Sequence, residues 1–143
     1  MKDIKRVFEY HGAEHKTIFC YEHGEELTVE NVKKYTRFHP RCGTSFLLFV
    51  MIISIIIFSL IGRNPNLFIN LLNRLLVLPL IAGISYEIIK FAGKSQNKIV
   101  TILIKPGLWL QRLTTREPDE SQIQVAIESL KAVIPQNGED DKW

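Results

Sequence analysis

Cysteine is nearly absent from this chain of 143 residues: Cys20 and Cys42 are the two it has. A small fold stapled by disulfides needs more thiols, and both lie in segments assigned below to the reducing side of a membrane, so no structural disulfide is expected. An internal repeat and a low-complexity tract are also missing, which excludes solenoid architectures. The first residues carry charge and have no apolar core, so the N-terminal segment does not read as a cleavable signal peptide. No motif interleaves aromatic with basic residues, and the net charge of +3 needs no nucleic acid to explain it.

The most telling absence is of charge. From Cys42 to Gly62 stand 21 residues without one, rich in Phe, Ile and Leu. As a helix this run rises roughly 31 Å, about the thickness of the bilayer hydrocarbon. A core helix apolar on every side needs a larger protein around it than this length provides. A second apolar stretch runs from Leu67 to Phe91, with Arg74 near its start, Pro79 inside and Glu87 near its end. Long basic side chains snorkel from such positions and proline is tolerated in membrane helices. Arg63-Asn64-Pro65-Asn66 reads as the turn between the two. The pattern predicts a transmembrane helical hairpin over 42–93, with spans at about 43–61 and 71–90.

Eight Lys and Arg precede the first span, Arg63 and Arg74 lie at the turn, and eight follow from Lys90 onward. The positive-inside rule then places both termini in the cytoplasm of a multi-pass membrane protein. The basic balance is anchoring in meaning.

On either side of the hairpin the pattern is helical. Residues 1–41 read as a cytosolic region with a helix from about Asp3 to Tyr21, stopped by Gly24. Its helical stripe carries Ile4, Val7, Phe8, His11, Glu14, His15, Ile18 and Glu22. Polar groups at core-facing positions are costly unless paired or bound, though the helix could also turn them to water. A second helix is expected from Thr28 as N-cap to about Phe38, ended by Pro40. Residues 94–135 read as interfacial and cytosolic helices. Asn97 to Leu113 mixes apolar and basic positions around Trp109, and Pro106-Gly107 is expected to break it. An interfacial segment lying on the membrane and a packed soluble helix pair both fit. Asp119 to Ile134 places Ile123, Ala126, Ile127, Leu130 and Ile134 on one face, a docking helix ended by Pro135. Residues 136–143 read as a disordered tail. The fold class expected is thus all-α: an integral membrane hairpin flanked by cytosolic amphipathic helices.

Chemistry concentrates at two places. His11-x-x-Glu14-His15 sets two imidazoles about 6 Å apart along a helix axis, on one face, where both reach a single ion. Glu14 lies beside them, where a carboxylate activates metal-bound water, and the spacing matches the inverted zinc-protease motif. His39 and Cys42 follow three residues apart at the mouth of the first span. Imidazole, thiolate and carboxylate form mixed zinc sets; the plainer account is a helix-capping His39 and a small buried Cys42. In an up-and-down hairpin Glu87 comes level with Cys42, and a carboxylate that deep needs a partner: Lys90, a metal, or the imidazoles. Arg116 is a candidate contact for an anionic lipid or substrate phosphate, or a partner of Glu117. The expected ligands are His11 and His15 with one of His39, Cys42 or Glu87 around a divalent metal, zinc first, with Glu14 as catalytic base.

Four strings in order carry a resemblance: Tyr10-His11-Gly12-Ala13-Glu14-His15-Lys16-Thr17, His39-Pro40-Arg41-Cys42-Gly43-Thr44-Ser45-Phe46, Ala82-Gly83-Ile84-Ser85-Tyr86-Glu87, and the run from Pro106 to Pro118. Together they resemble the bacterial YqhQ-like family, an integral-membrane domain of unknown function described as predicted metal-dependent enzymes. The resemblance implies a bacterial inner-membrane protein and names no reaction. Its members are longer, with a Gly-rich region and further membrane segments ahead of the first motif. The resemblance therefore implies the C-terminal half of such a protein, with a separate N-terminal half among the expected partners.

Two functional classes follow. One is a metal-dependent membrane enzyme, hydrolytic and acting at the cytoplasmic face. The other is a non-catalytic membrane scaffold whose His/Glu/Cys cluster is a structural metal site or polar network. The bilayer is the partner common to both, with other membrane proteins or further copies of the chain beside it.

Overall fold

The computed structural model describes residues 2–95 and 97–134. Its elements are α1 (Lys2–Glu22), α2 (Val29–Lys33), α3 (Gly43–Ile61), α4 (Leu67–Lys94), α5 (Lys98–Thr114) and α6 (Glu120–Val133). No strand occurs among the described residues. The chain divides into two units. One joins residues up to His39 with those from Arg112 onward, and the other is Pro40–Gln111. The expected tail at 136–143 and the terminator Pro135 lie outside the described residues.

In the first unit α1, α2 and α6 share one core of Ala13, Cys20, Val32, Ile123, Ala126 and Ile127, flanked by Leu27, Val29 and Tyr35. This is why the two ends of the chain belong together: the buried face of α6 is the one its 3.6-residue periodicity predicts. Asp119 caps α6 with a full capping box, its carboxylate accepting from the Gln122 N–H while the Gln122 side chain accepts from the Asp119 N–H. The Ser121 hydroxyl, then the Gln122 N–H, hold the Asp119 carboxyl below its ordinary range. Gln122 also donates to Glu9 at 3.0 Å and lowers that carboxyl in the same way, tying α6 to α1.

Three expectations need correction here. The buried face of α1 is Gly12, Ala13, Lys16, Thr17 and Cys20, with His15 at its shoulder, whereas Ile4 and Val7 are exposed. Small residues let neighbouring backbone approach closely, and a stripe drawn through the large apolar side chains misses that face. α2 starts at its Thr28 cap as expected but ends at Lys33. Beyond it Tyr35 packs on the core and the Arg37 carbonyl accepts from His15. Pro106-Gly107 does not break α5, which runs through both.

In the second unit α3 and α4 pair as an antiparallel hairpin. Cys42 caps α3, its sulfur accepting from Thr44 N–H at 3.4 Å. Gly62 leaves α3 at φ +74°, where a side chain would be strained. Asn66 then caps α4 through Phe68 and Ile69, and Asn64 and Asn70 exchange hydrogen bonds across the turn. Arg74 lies over the Phe58 ring at one end, and Gly93 meets Arg41 at the other. Both helices are long and apolar enough to cross a membrane. Their large side chains face outward, Leu60 and Leu67 more than four-fifths exposed.

α5 meets the start of α3 through a buried hydrogen bond, Gln111 Nε2 donating to Ser45 Oγ at 2.9 Å. Beside it a methyl on Gly107 would fall 2.9 Å from that oxygen and 3.1 Å from Ser45 Cβ. The absent side chain explains why glycine is needed there despite its helix cost. A methyl on Gly93 would meet only the flexible Arg41 side chain, at 2.8 Å. Gly107→Ala is expected to lower stability by about 1–3 kcal/mol, the usual cost of overpacking, and Gly93→Ala by much less. Thermal melts of the two variants in detergent check the contrast; equal losses contradict it.

Candidate metal centre

His11 and His15 are one turn apart on α1, so their side chains share a face. Their rings meet edge to face with centroids 4.4 Å apart, and their ligand-capable nitrogens lie within 4.8 Å of each other. Each Nδ1 faces a backbone carbonyl: His11 that of Thr114 at 2.9 Å, His15 that of Arg37 at 2.6 Å. A carbonyl oxygen only accepts, so both Nδ1 atoms carry the hydrogen. In the neutral ring the lone pair then sits on Nε2, and the ring cannot turn without losing its bond. Metal-ligating histidines are commonly oriented and tautomerised in this way.

His39 stands behind this pair. Its ring centroid is 5.9 Å from that of His15 and 4.5 Å from that of Phe19. Nε2 of His39 donates to the Glu22 carboxylate at 3.2 Å. His15 and His39 are both buried. The rings of His15, His39, Phe19 and Tyr35 thus touch in series, tilted except for the stacked Phe19–Tyr35 pair, with the Glu22 carboxylate on His39.

The segment joining α5 to α6 lies directly against α1. Arg116 N–H donates to the Phe8 carbonyl at 2.8 Å, and a Cβ on Gly12 would stand 2.1 Å from the Arg116 carbonyl oxygen. Only glycine admits so close a pass. Thr115 is fully buried, and both its carbonyl and its hydroxyl accept from Arg37. The Thr114 hydroxyl is buried with no hydrogen-bond partner among the described residues, on the residue whose carbonyl orients His11. An unsatisfied polar atom there costs about 1–3 kcal/mol, and a bound water or ion relieves it. Two imidazoles on one helix face, each with Nδ1 held by a carbonyl and Nε2 left as the ligand-capable atom, fit a divalent ion.

The other residues expected in the site fall as follows. Glu14 is exposed, off the buried face that holds His15. Cys42 and Glu87 belong to the Pro40–Gln111 unit. There Cys42 is buried, its sulfur 2.9 Å from Thr44 Oγ1, and Glu87 is exposed beside an open apolar groove with Leu80, Ile84 and Phe91. Lys90, the plain partner considered for it, sets its ammonium 5.8 Å from the Tyr86 ring. Arg116 contributes its backbone and has an exposed side chain. The cations that do reach the junction are Lys16 and Arg37, and no sequence spacing signals them. Cys20 is a core thiol whose pKa is pushed up by burial and then by Glu25, which keeps it protonated and unreactive.

The family model for a protein of unknown function, DUF1385, matches residues 1–136. The uncharacterized protein YqhQ of Bacillus subtilis (strain 168) is similar: 45% identical over 132 residues, 92% of this chain. The chain spans 41% of that protein's length. No solved structure matches.

Gly12 is the position on which the orienting carbonyls depend. Gly12→Ala is expected to push the Thr114–Arg116 backbone off α1 and cost about 3 kcal/mol or more, at the upper end of overpacking. Denaturant titration measures it. A variant as stable as the parent would show that the close pass is not a constraint.

Proposed function

The chain belongs to the DUF1385 family, and we propose that this member is a membrane-anchored, divalent-metal-dependent enzyme of hydrolytic type. The observation that carries the reading is the pair of Nε2 lone pairs presented by His11 and His15, each fixed by a carbonyl behind it. Imidazole nitrogen suits zinc among the available divalent ions. When bound, the ion supplies a Lewis acid and a water of lowered pKa.

The chain's own residues do the rest. The Thr114 and Arg37 carbonyls orient the imidazoles, and the buried His39 ring, 5.9 Å from that of His15, covers one side of it. Glu14, on the solvent side of the same turn, is the carboxylate to which we assign proton transfer. The share of His39, Cys42 and Glu87 in ligation is decided by replacing each.

α3 and α4 serve as the anchor in this reading, because so much apolar surface facing outward suits lipid and not water. The distribution of Lys and Arg supports both termini in the cytoplasm of a bacterial cytoplasmic membrane. Because the relative extends far beyond the matched region, further membrane segments are among the proposed partners.

A second reading has a specific observation behind it. His39 is buried and paired with Glu22, and His15 is buried beside it, as in a polar network that stiffens a scaffold. The two readings separate on metal content and on Glu14. Detergent-purified protein is expected to carry stoichiometric zinc by elemental analysis, and His11→Ala and His15→Ala to lose it. Wild type without metal under zinc supplementation would end the enzyme reading. Glu14→Gln is expected to keep fold and metal while losing hydrolysis across a panel of ester, phosphoester and peptide substrates. Unchanged turnover removes Glu14 from the chemistry, and unfolding favours the network.

A further inference from the structure

Lys16 lies on the buried face of α1, its side chain 9% exposed. Such a cation needs fixed partners, because desolvation disfavours its charge. Its ammonium reaches the Lys33 carbonyl at 3.4 Å and Glu117 Oε2 at 2.8 Å. From the other side Arg37 brings Nε to 3.5 Å from Glu117 Oε1, while its terminal nitrogen is fixed by the carbonyl and hydroxyl of Thr115. Two cations held by backbone therefore converge on one carboxylate, and that carboxylate is 65% exposed.

The asymmetry is informative. The cations are immobilised by groups that would not move if Glu117 left, whereas Glu117 sits on the surface of a junction outside any helix. Two positive charges against one negative leave an excess of one. An exposed carboxylate contributes little to stability through such a contact. The two cations match a doubly charged oxyanion better than a single carboxylate, and arginine beside lysine is the pairing that phosphate favours.

We propose that Lys16 and Arg37 form a receptor for a phosphate monoester dianion, with the Glu117 side chain as the built-in occupant that the ligand displaces. The phosphate belongs to a soluble phosphorylated compound or to a phosphomonoester lipid headgroup. His15 is tied to the receptor, since its Nδ1 donates to the carbonyl of Arg37. The site does not depend on metal: it is built from a lysine, an arginine and a glutamate.

The test uses the full chain in nanodiscs, stripped of metal with a chelator, and calorimetric titration with inorganic phosphate. Glu117→Gln removes the competing charge at an exposed position and is expected to bind phosphate about tenfold more tightly than wild type, as for loss of a charge-assisted contact. Adding Arg37→Lys to that variant is expected to reverse the gain, because the fork is lost. Equal phosphate affinity in wild type and Glu117→Gln overturns the proposal, as does a gain that Arg37→Lys leaves intact. Discs of phosphatidylcholine are compared with discs containing phosphatidic acid. If phosphatidic acid blocks inorganic phosphate in Glu117→Gln, the ligand is the lipid headgroup. If phosphate binds equally in both discs, the ligand is soluble.

Discussion

The first unit depends on a backbone passing over a helix at a distance only glycine allows. Gly12 has no side chain, and the Arg116 carbonyl occupies the space where one would be. Because the passing strand of chain is fixed there, and by Arg116 N–H to Phe8 O, its neighbours present their carbonyls inward. Thr114 O receives His11, and Thr115 O receives Arg37. The Arg37 carbonyl in turn receives His15. One steric permission on α1 thus sets the orientation of two imidazoles and one guanidinium.

That arrangement links fold to chemistry in a definite way. Carbonyl oxygens select one tautomer of each imidazole, and the selected tautomer puts its lone pair on the nitrogen farther from the backbone. A helix with free imidazoles would interconvert tautomers and rotamers in solution and hold an ion less well. The same rigidity serves a polar network, which is why metal content and not geometry divides the two readings. Next to this pair Lys16 and Arg37 add positive charge on fixed supports, so metal-type and anion-type donors share one framework.

Much of the architecture was legible in the residues. The uncharged run from Cys42 to Gly62 sets the limits of α3 nearly to the residue, since apolar length is the strongest one-dimensional signal there is. The Thr28 and Asp119 caps and the buried face of α6 follow from local chemistry. The buried face of α1 was not legible, because Gly12, Ala13 and Thr17 bury by being small and carry no hydrophobic weight. Pro106 remains helical because Gly107 and Gln111 hold α5 on Ser45, a long-range contact that outweighs a local breaker. In the site, the spacing of His11 and His15 is readable as a shared face. Which atoms orient them is not, because the carbonyls come from Arg37 and from Thr114, 103 residues from His11. Lys16 and Arg37 were hidden for the same reason. Their meeting at Glu117 is made by the fold and leaves no spacing in the sequence.

The central claim is that the fold fixes both imidazoles as Nδ1–H tautomers with Nε2 as the donor atom. Long-range proton–nitrogen NMR correlation of the histidine side chains, in metal-free protein above pH 7.5 (about one unit over an ordinary histidine pKa), reads this directly. His11 and His15 are both expected to show the protonated-type nitrogen shift at Nδ1 and the lone-pair shift at Nε2. Averaged shifts, or a lone pair on Nδ1 of either ring, would contradict it.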